Sequence, residues 1–388
     1  MIYTGIDISK YKHDCFIQSD FGEVVNAGFT FTNNAAGFEQ LQKVLDEFGR
    51  DSIRIGFEAT GHYGVNLKSF LEKKGYEFME INPYLIKEYM KSDSLRLTYT
   101  DKICSQAIAE YLCEKAFSPH PMGFYDKFAL KQLTRLRENL IKQRSRFMVQ
   151  LTNILDCVFP EFKPFFDDSF SVTALYILGN YQSPEKIAKM NSLSYDKLRK
   201  VSRGHFSTLQ FAQLKVLAKN TVGVWSDYYR VQLDTVLELF GQIDSKITDV
   251  ETEIRQIFKP LNSPTASIRG VGEFSAAVIV AEYSDFKFFS NPNKMLAFAG
   301  LEPSRHQSGT ADHKGKMVKR GSSHLRRTLM NCAPALIIHN PVFAEYYHKK
   351  RNEGKTHRVA LNHIAKKLVR VIFALETKGV MFDADKLR

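Results

Sequence analysis

Three short strand-like runs, YTGIDIS, HDCFIQS and VVNAGFTFT, open the chain one after another, with Lys, Asp and Gly turn signals between them. A helical stretch follows near 35–48, then the strand-like IRIGFEA, a second helix, the strand-like YEFMEIN and a third helix near 101–115. Three strands, helix, strand, helix, strand, helix is the order of an α/β domain. More than one α/β fold has that order.

Beyond residue 120 the pattern becomes helical. In 128–155 the apolar residues Leu130, Leu133, Leu136, Leu140, Phe147, Met148, Leu151 and Leu155 recur at helical spacing, with Lys131, Arg135, Arg137, Lys142, Arg144 and Arg146 interleaved. Residues 170–220 are helical but irregular, and their PEKIAKM and YDKLRKVSRGH clusters suit a nucleic-acid backbone as well as they suit solvent. The next helix is regular: Val236, Phe240, Ile243, Ile247, Val250, Ile254 and Ile257 alternate spacings of four and three, an a/d seam. Such a seam needs a partner, either the helix at 130–155 of the same chain or its own copy in another subunit. Pro260 and Pro264 end it. SIRGVGEFSAAVIVAEY then sets Gly270 and Gly272 around a tight turn before a small-residue helix, resembling a helix-hairpin-helix element, whose turn lets backbone N–H groups approach a phosphate. The expected division is 1–120, α/β; 121–260, helical with a coiled coil; and 261–388, a mainly helical C-terminal domain.

Charge narrows the partner. The net charge is +12, and residues 301–388 hold 18 Lys and Arg against 7 Asp and Glu. A solubilising bias spreads its charge, whereas this excess is concentrated, as a polyanion-binding surface requires. The five cysteines (Cys15, Cys104, Cys113, Cys157 and Cys332) are scattered, with no C-x-x-C pair, which argues against a disulfide framework or a structural zinc site. No apolar run approaches the ~18 residues of a membrane span, and MIYTGIDISK lacks the basic and apolar regions of a signal peptide. A cytoplasmic location is expected.

Asp7 lies in the first strand and Glu58 at the end of the fourth. Strand acids are costly to desolvate unless a cation or hydrogen bonds compensate them, and Mg2+ is such a cation, since it takes one or two carboxylates and leaves its other positions to water and phosphate. Asp101, at the start of the helix near 101–115, brings a third carboxylate; by itself it is equally a helix-start acid stabilised by the macrodipole. In the last domain AGLEPSRHQSG runs into HKGKMVKRGSSHLRR, placing Ser308 among Arg305, His306, Lys314, Lys316, Lys319, Arg320, Arg326 and Arg327. A serine that attacks a phosphodiester needs a proton acceptor or a metal and cations for the developing charge. The same Ser-Gly also suits a phosphate-contacting turn.

Taken together, GIDISK, FEATGHYG, INP with TDKI and AIAEYL, GVGEFSAAVIVAE, AFAGLEPSRHQSG, KRGSSHLRR and HNPVFAEYY resemble, in order, the one-ten family of insertion-sequence transposases. The resemblance implies an N-terminal RuvC-like domain of the ribonuclease H class carrying a DEDD acid set, a coiled-coil middle and a C-terminal domain with a catalytic serine. It makes Asp7, Glu58 and Asp101 the first three acids and divalent metal ligands, with Mg2+ as cofactor, and Ser308 the nucleophile that holds DNA covalently. It also implies double-stranded DNA as substrate, a structured bridge RNA as guide, a homo-oligomer (dimer or tetramer) and a nucleoid-associated protein of a bacterial or archaeal cell. Contacts to nucleic acid fall to the basic residues around Ser308 and to Arg135 and Arg144 in the long helix.

One position departs from the family. The fourth acid belongs three residues after Asp101, where this chain has Cys104. A thiol is a poor ligand for Mg2+. Three readings follow: an active three-acid site, a crippled copy that only binds nucleic acid, or recruitment of Glu110, about two and a half helical turns further on. A RuvC-like structure-specific nuclease without serine chemistry is the alternative activity.

Overall fold

The computed structural model describes residues 1–93, 100–120, 124–308 and 311–387, and for residues 93, 124–126, 304–308, 311–314, 316 and 387 it describes the backbone only. Chain contacts divide it into two units, Met1–Asp126 and Lys127–Arg388.

The first unit begins with β1 (Ile2–Ile8), β2 (Lys12–Ser19) and β3 (Val24–Thr32) and continues with α1 (Ala35–Leu45), β4 (Ile53–Glu58), α2 (Val65–Lys74), β5 (Phe78–Ile81), α3 (Pro83–Asp93) and α4 (Asp101–Glu114). The expected order of elements is present, with one helix that was not expected, α3, inserted between β5 and α4. The strands form one mixed sheet, β3-β2-β1-β4-β5, in which β1 pairs antiparallel with β2, and β2 with β3, while β1 with β4 and β4 with β5 are parallel. One face carries Ile6, Ile8, Cys15, Ile17, Phe31, Ile55 and Phe57, which pack on Leu41 and Leu45 of α1 and Leu67 and Leu71 of α2. Each of these fully buried aliphatic side chains contributes about 1.5–3 kcal/mol.

The opposite face is covered by α4, and glycine makes that possible. A Cβ on Gly5 would stand 2.1 Å from the Ser105 carbonyl oxygen and 2.5 Å from the Ala109 nitrogen, so the helix can cross β1 only where β1 has no side chain. This crossing fixes the start of α4, one turn before Ser105, beside the C-terminal end of β1.

The second unit holds most of α5 (Phe124–Val158), then α6 (Phe162–Phe165), α7 (Val172–Tyr181), α8 (Pro184–Ala188), α9 (Ser192–Val201), α10 (Thr208–Lys219) and α11 (Asp227–Phe258). It continues with α12 (Glu273–Tyr283), α13 (Pro292–Phe298), β6 (Pro303–Ser308), β7 (Ala311–Met317), α14 (Ser323–His339), α15 (Pro341–Asn352) and α16 (His357–Lys378). The seam of α11 finds its partner within the chain. Arg137 pairs with Glu251 at 2.6 Å and Arg144 with Asp244 at 2.7 Å, so seven residues forward along α5 match seven backward along α11. That is an antiparallel hairpin, with Val236, Phe240, Ile247 and Ile254 buried. At one end Leu151, Ile154 and Leu155 join Leu233 and Val236 and the helices between α5 and α11; at the other, Leu130 joins Ile254, Phe258 and the core of α12, α14 and α16.

Gly270 has a required backbone: its φ is +98°, and a Cβ there would lie 2.8 Å from Leu336 Cα of α14. The basic stretch around Ser308, which carries no strand-like alternation, forms a two-stranded antiparallel hairpin, β6–β7, inside the otherwise helical second unit.

Candidate active site

In the first unit the ends of parallel β1 and β4 bring Asp7 and Glu58 to the same edge of the sheet, the edge where α4 begins. Thr100 caps that helix, its Oγ1 accepting from the Ile103 N–H at 3.3 Å, and Asp101 is the first residue inside. Asp7, half-buried, has its carboxyl pushed up to about 6, by burial first and then by the negative charges of Asp101, Glu58 and Asp14. Burial also raises Glu58. Cys104 lies in the same field: burial, then Asp7, Glu58 and Asp101 push its thiol up to about 11, so at neutral pH it is an uncharged S–H. The three expected acids and the cysteine are thus brought together. Glu110, further along α4, accepts from Gln106 Nε2 at 2.8 Å.

Two participants were not foreseen. Asp14 of β2 stands directly opposite Asp7 in the antiparallel register, 5% exposed, with Thr30 Oγ1 donating to its Oδ1 at 2.6 Å. Lys12 Nζ lies 3.4 Å from Asp14 Oδ2 and 3.4 Å from Asp101 Oδ2. The signal was the i, i+2 alternation of the second strand, which puts Lys12 and Asp14 on one face. Only the pairing register reveals that it is the face of Asp7.

Among the described residues no three Asp, Glu, His or Cys side chains form a ready metal cage. The centre is instead an open cluster of hard oxygen donors whose charges repel, which suits a cation that needs one or two carboxylates and keeps its waters. Asp7, Glu58 and Asp101 are the residues that could hold Mg2+; the neutral Cys104 thiol adds neither charge nor a hard donor.

In the second unit, Ser308 is the last residue of β6, paired with Ala311 at the tip of the hairpin, and Arg305 stands opposite Lys314 and His306 opposite His313. The side chains of Arg305, His306, Ser308, Lys314 and Lys316 lie outside the described residues. Lys319 and Arg320 are exposed at the hairpin's base. Arg326 Nη1 donates to the carbonyls of Ala299 and Lys319 at 3.3 Å each, and so ties that base to α14. Arg327 and His324 both bind Glu138 of α5. Arg135 makes a two-pronged pair with Glu282, at 2.7 and 3.1 Å, and Arg144 holds Asp244, so both guanidinium groups take part in the fold.

No helix among the described residues is long and apolar enough to cross a membrane. Residues 4–160 match the IS110 DEDD transposase model, and residues 264–348 match the model described as "Transposase IS116/IS110/IS902 family". The "Pilin gene-inverting protein" of Moraxella bovis is 23% identical over 394 residues, covering 98% of this chain and 97% of that protein. The "Transposase for insertion sequence element IS1111A" of Coxiella burnetii is 26% identical over 345 residues, 86% of this chain and 78% of its own. The "Insertion element IS110 uncharacterized 43.6 kDa protein" of Streptomyces coelicolor is 30% identical over 137 residues, 35% of this chain and 34% of its own. With two matching models placed in family order and relatives aligned along nearly its whole length, the chain belongs to the IS110 family of insertion-sequence transposases.

Proposed function

We propose that this transposase is a metal-assisted DNA recombinase, with a RuvC-like first unit that holds Mg2+ on Asp7, Glu58 and Asp101 and a second unit that supplies Ser308 as nucleophile. The observation that carries the reading is the state of Asp7. Its carboxyl is driven up to about 6 by burial first and then by the like charges of Asp101, Glu58 and Asp14 around it, an arrangement a fold keeps at a cost unless a cation relieves it. Bound there, Mg2+ would neutralise charge on a scissile phosphate.

Ser308 acts by transesterification. Its hydroxyl oxygen attacks phosphorus and gives up its proton to a base; the bond from phosphorus to the deoxyribose oxygen breaks, and that oxygen leaves as a hydroxyl. The phosphodiester is conserved as a serine ester. A hydroxyl of the exchanged strand then attacks the same phosphorus and returns Ser308. Arg305, His306, Lys314, Lys316, Lys319 and Arg320 neutralise DNA phosphates, while Arg146 and the basic residues of 185–205 meet a structured guide RNA; Arg135, Arg144, Arg326 and Arg327 are held by partners within the fold. Strand exchange joins two duplexes, so the working form is a homo-oligomer.

The test is denaturing gel analysis of protein, Mg2+, donor and target DNA, and RNA transcribed from the element's flanks. Wild type should leave a covalent protein–DNA adduct and recombinant product, and Ser308→Ala neither. An adduct that persists in Ser308→Ala would sink the serine mechanism, and normal cleavage without any adduct would favour a water-using nuclease.

Cys104 supports a second reading, a copy that binds nucleic acid without cutting it, because its neutral thiol stands where the family has a carboxylate. Recombination by Cys104→Asp alone would establish that reading; comparable activity in both proteins would establish the three-acid site.

A further inference from the structure

The acid centre contains a cation of its own. Lys12 and Asp14 lie two residues apart on β2, on the face that carries Asp7, and the Lys12 ammonium is 3.4 Å from both Asp14 and Asp101. Its two partners differ. Asp14 is 5% exposed and locked by the Thr30 hydroxyl on one oxygen, which leaves the other for Lys12. Asp101 is at the start of α4 with its side chain 55% exposed. An ion pair with an exposed carboxylate is weak and exchangeable, whereas one anchored on a buried, hydrogen-bonded carboxylate stays in place.

We propose that Lys12 is a tethered counter-ion of the active site. In the metal-free protein it occupies Asp101; Asp101 then exchanges the ammonium for the divalent ion, and Lys12, still held by Asp14, is left at the rim to meet the DNA phosphate. The inference rests on the metal-binding reading of Asp7, Glu58 and Asp101. It gives Lys12 opposite effects on the two ligands: it competes with the cation and attracts the polyanion.

Those opposite signs make the test. Mn2+ is titrated calorimetrically into the full-length protein without nucleic acid, and duplex DNA binding is then measured at saturating Mn2+ over a range of salt. Lys12→Gln should bind Mn2+ about fivefold more tightly, since a positive charge a few ångströms from the ion is gone, and its DNA affinity should fall with a salt slope smaller by about one. Lys12→Arg, which keeps the charge, should follow wild type in both. Mn2+ binding by Lys12→Gln that is equal to or weaker than wild type overturns the competition, and an unchanged DNA salt slope overturns the phosphate contact. If wild type itself binds no Mn2+, the underlying metal reading fails and this inference with it.

Discussion

Two carboxylates, one in each unit, are withdrawn from water and have opposite fates. Glu282 on α12 is 1% exposed; burial alone would raise its carboxyl, yet Arg135, Lys131 and Ser322 outweigh that and hold it below the usual range. Asp7 on β1 is less buried, yet its carboxyl is pushed up to about 6, by burial first and then by the neighbouring acids Asp101, Glu58 and Asp14. Burial pushes both up; the company each keeps decides whether that push is reversed or reinforced. A buried acid surrounded by donors is part of the scaffold; a buried acid surrounded by acids is held ready for a ligand.

The largest effect separating them is on activity. Asp7→Asn should reduce recombination by about three orders of magnitude or more, since it removes a charge the reaction needs. The same change should stabilise the metal-free protein by roughly 1 kcal/mol, a figure kept small because solvent still reaches Asp7 and screens its charge. Melting curves in EDTA check it, and a destabilised Asp7→Asn would put Asp7 in the scaffold class with Glu282. The converse change is Glu282→Gln. It leaves Arg135, whose side chain is 37% exposed, facing a neutral amide and should cost about 2 kcal/mol, read by denaturant melts of the whole chain. A loss below ~1 kcal/mol would mean that the pair behaves like a surface one and that the contrast with Asp7 is overdrawn.

One side of this contrast is legible in the sequence. Asp7, Glu58 and Asp101 could be picked out because each sits at the edge of an element that alternation or capping announces, and the α/β order of the first unit followed from the same signals. Asp14 and Lys12 could not be found that way. They are ordinary polar residues of a strand until the turn at Ser9–Tyr11 sets a register in which Asp14 meets Asp7. Glu282 was invisible for a similar reason: its partner Arg135 is 147 residues away, and Arg135 read alone is one more basic residue on a basic helix. The β6–β7 hairpin escaped because its Lys-, His- and Gly-rich strands carry no apolar alternation in the sequence. Positions specified by local periodicity and capping are legible in the sequence, whereas those specified by long-range pairing are set only by the fold.

The smallest expected effect is the dependence of stability on pH, and there the two acids run in opposite directions. Asp7 has a folded value of about 6 against an ordinary 3.8, so its ionised form is disfavoured by the fold. The resulting strain is fully present above about 6 and is relieved as pH falls through 6 toward 4. Glu282 is depressed below its ordinary 4.5, so the stability it contributes is fully present above 4.5 and is lost only as pH falls below that. In EDTA the Asp7 contribution to the first unit should therefore grow between pH 7.5 and 5, against an opposing loss from His13, which burial holds below its ordinary value, while in the second unit His363, lowered by burial and nearby lysines, loses stability over the same range and Glu282 only in stronger acid. Hydrogen exchange, resolved to peptides from β1 and α12, follows both units in one sample. Measured as the difference between the two proteins, wild type should gain on Asp7→Asn in β1 as pH falls, with no difference in α12; an identical pH dependence in both would take Asp7 from the centre of the cluster.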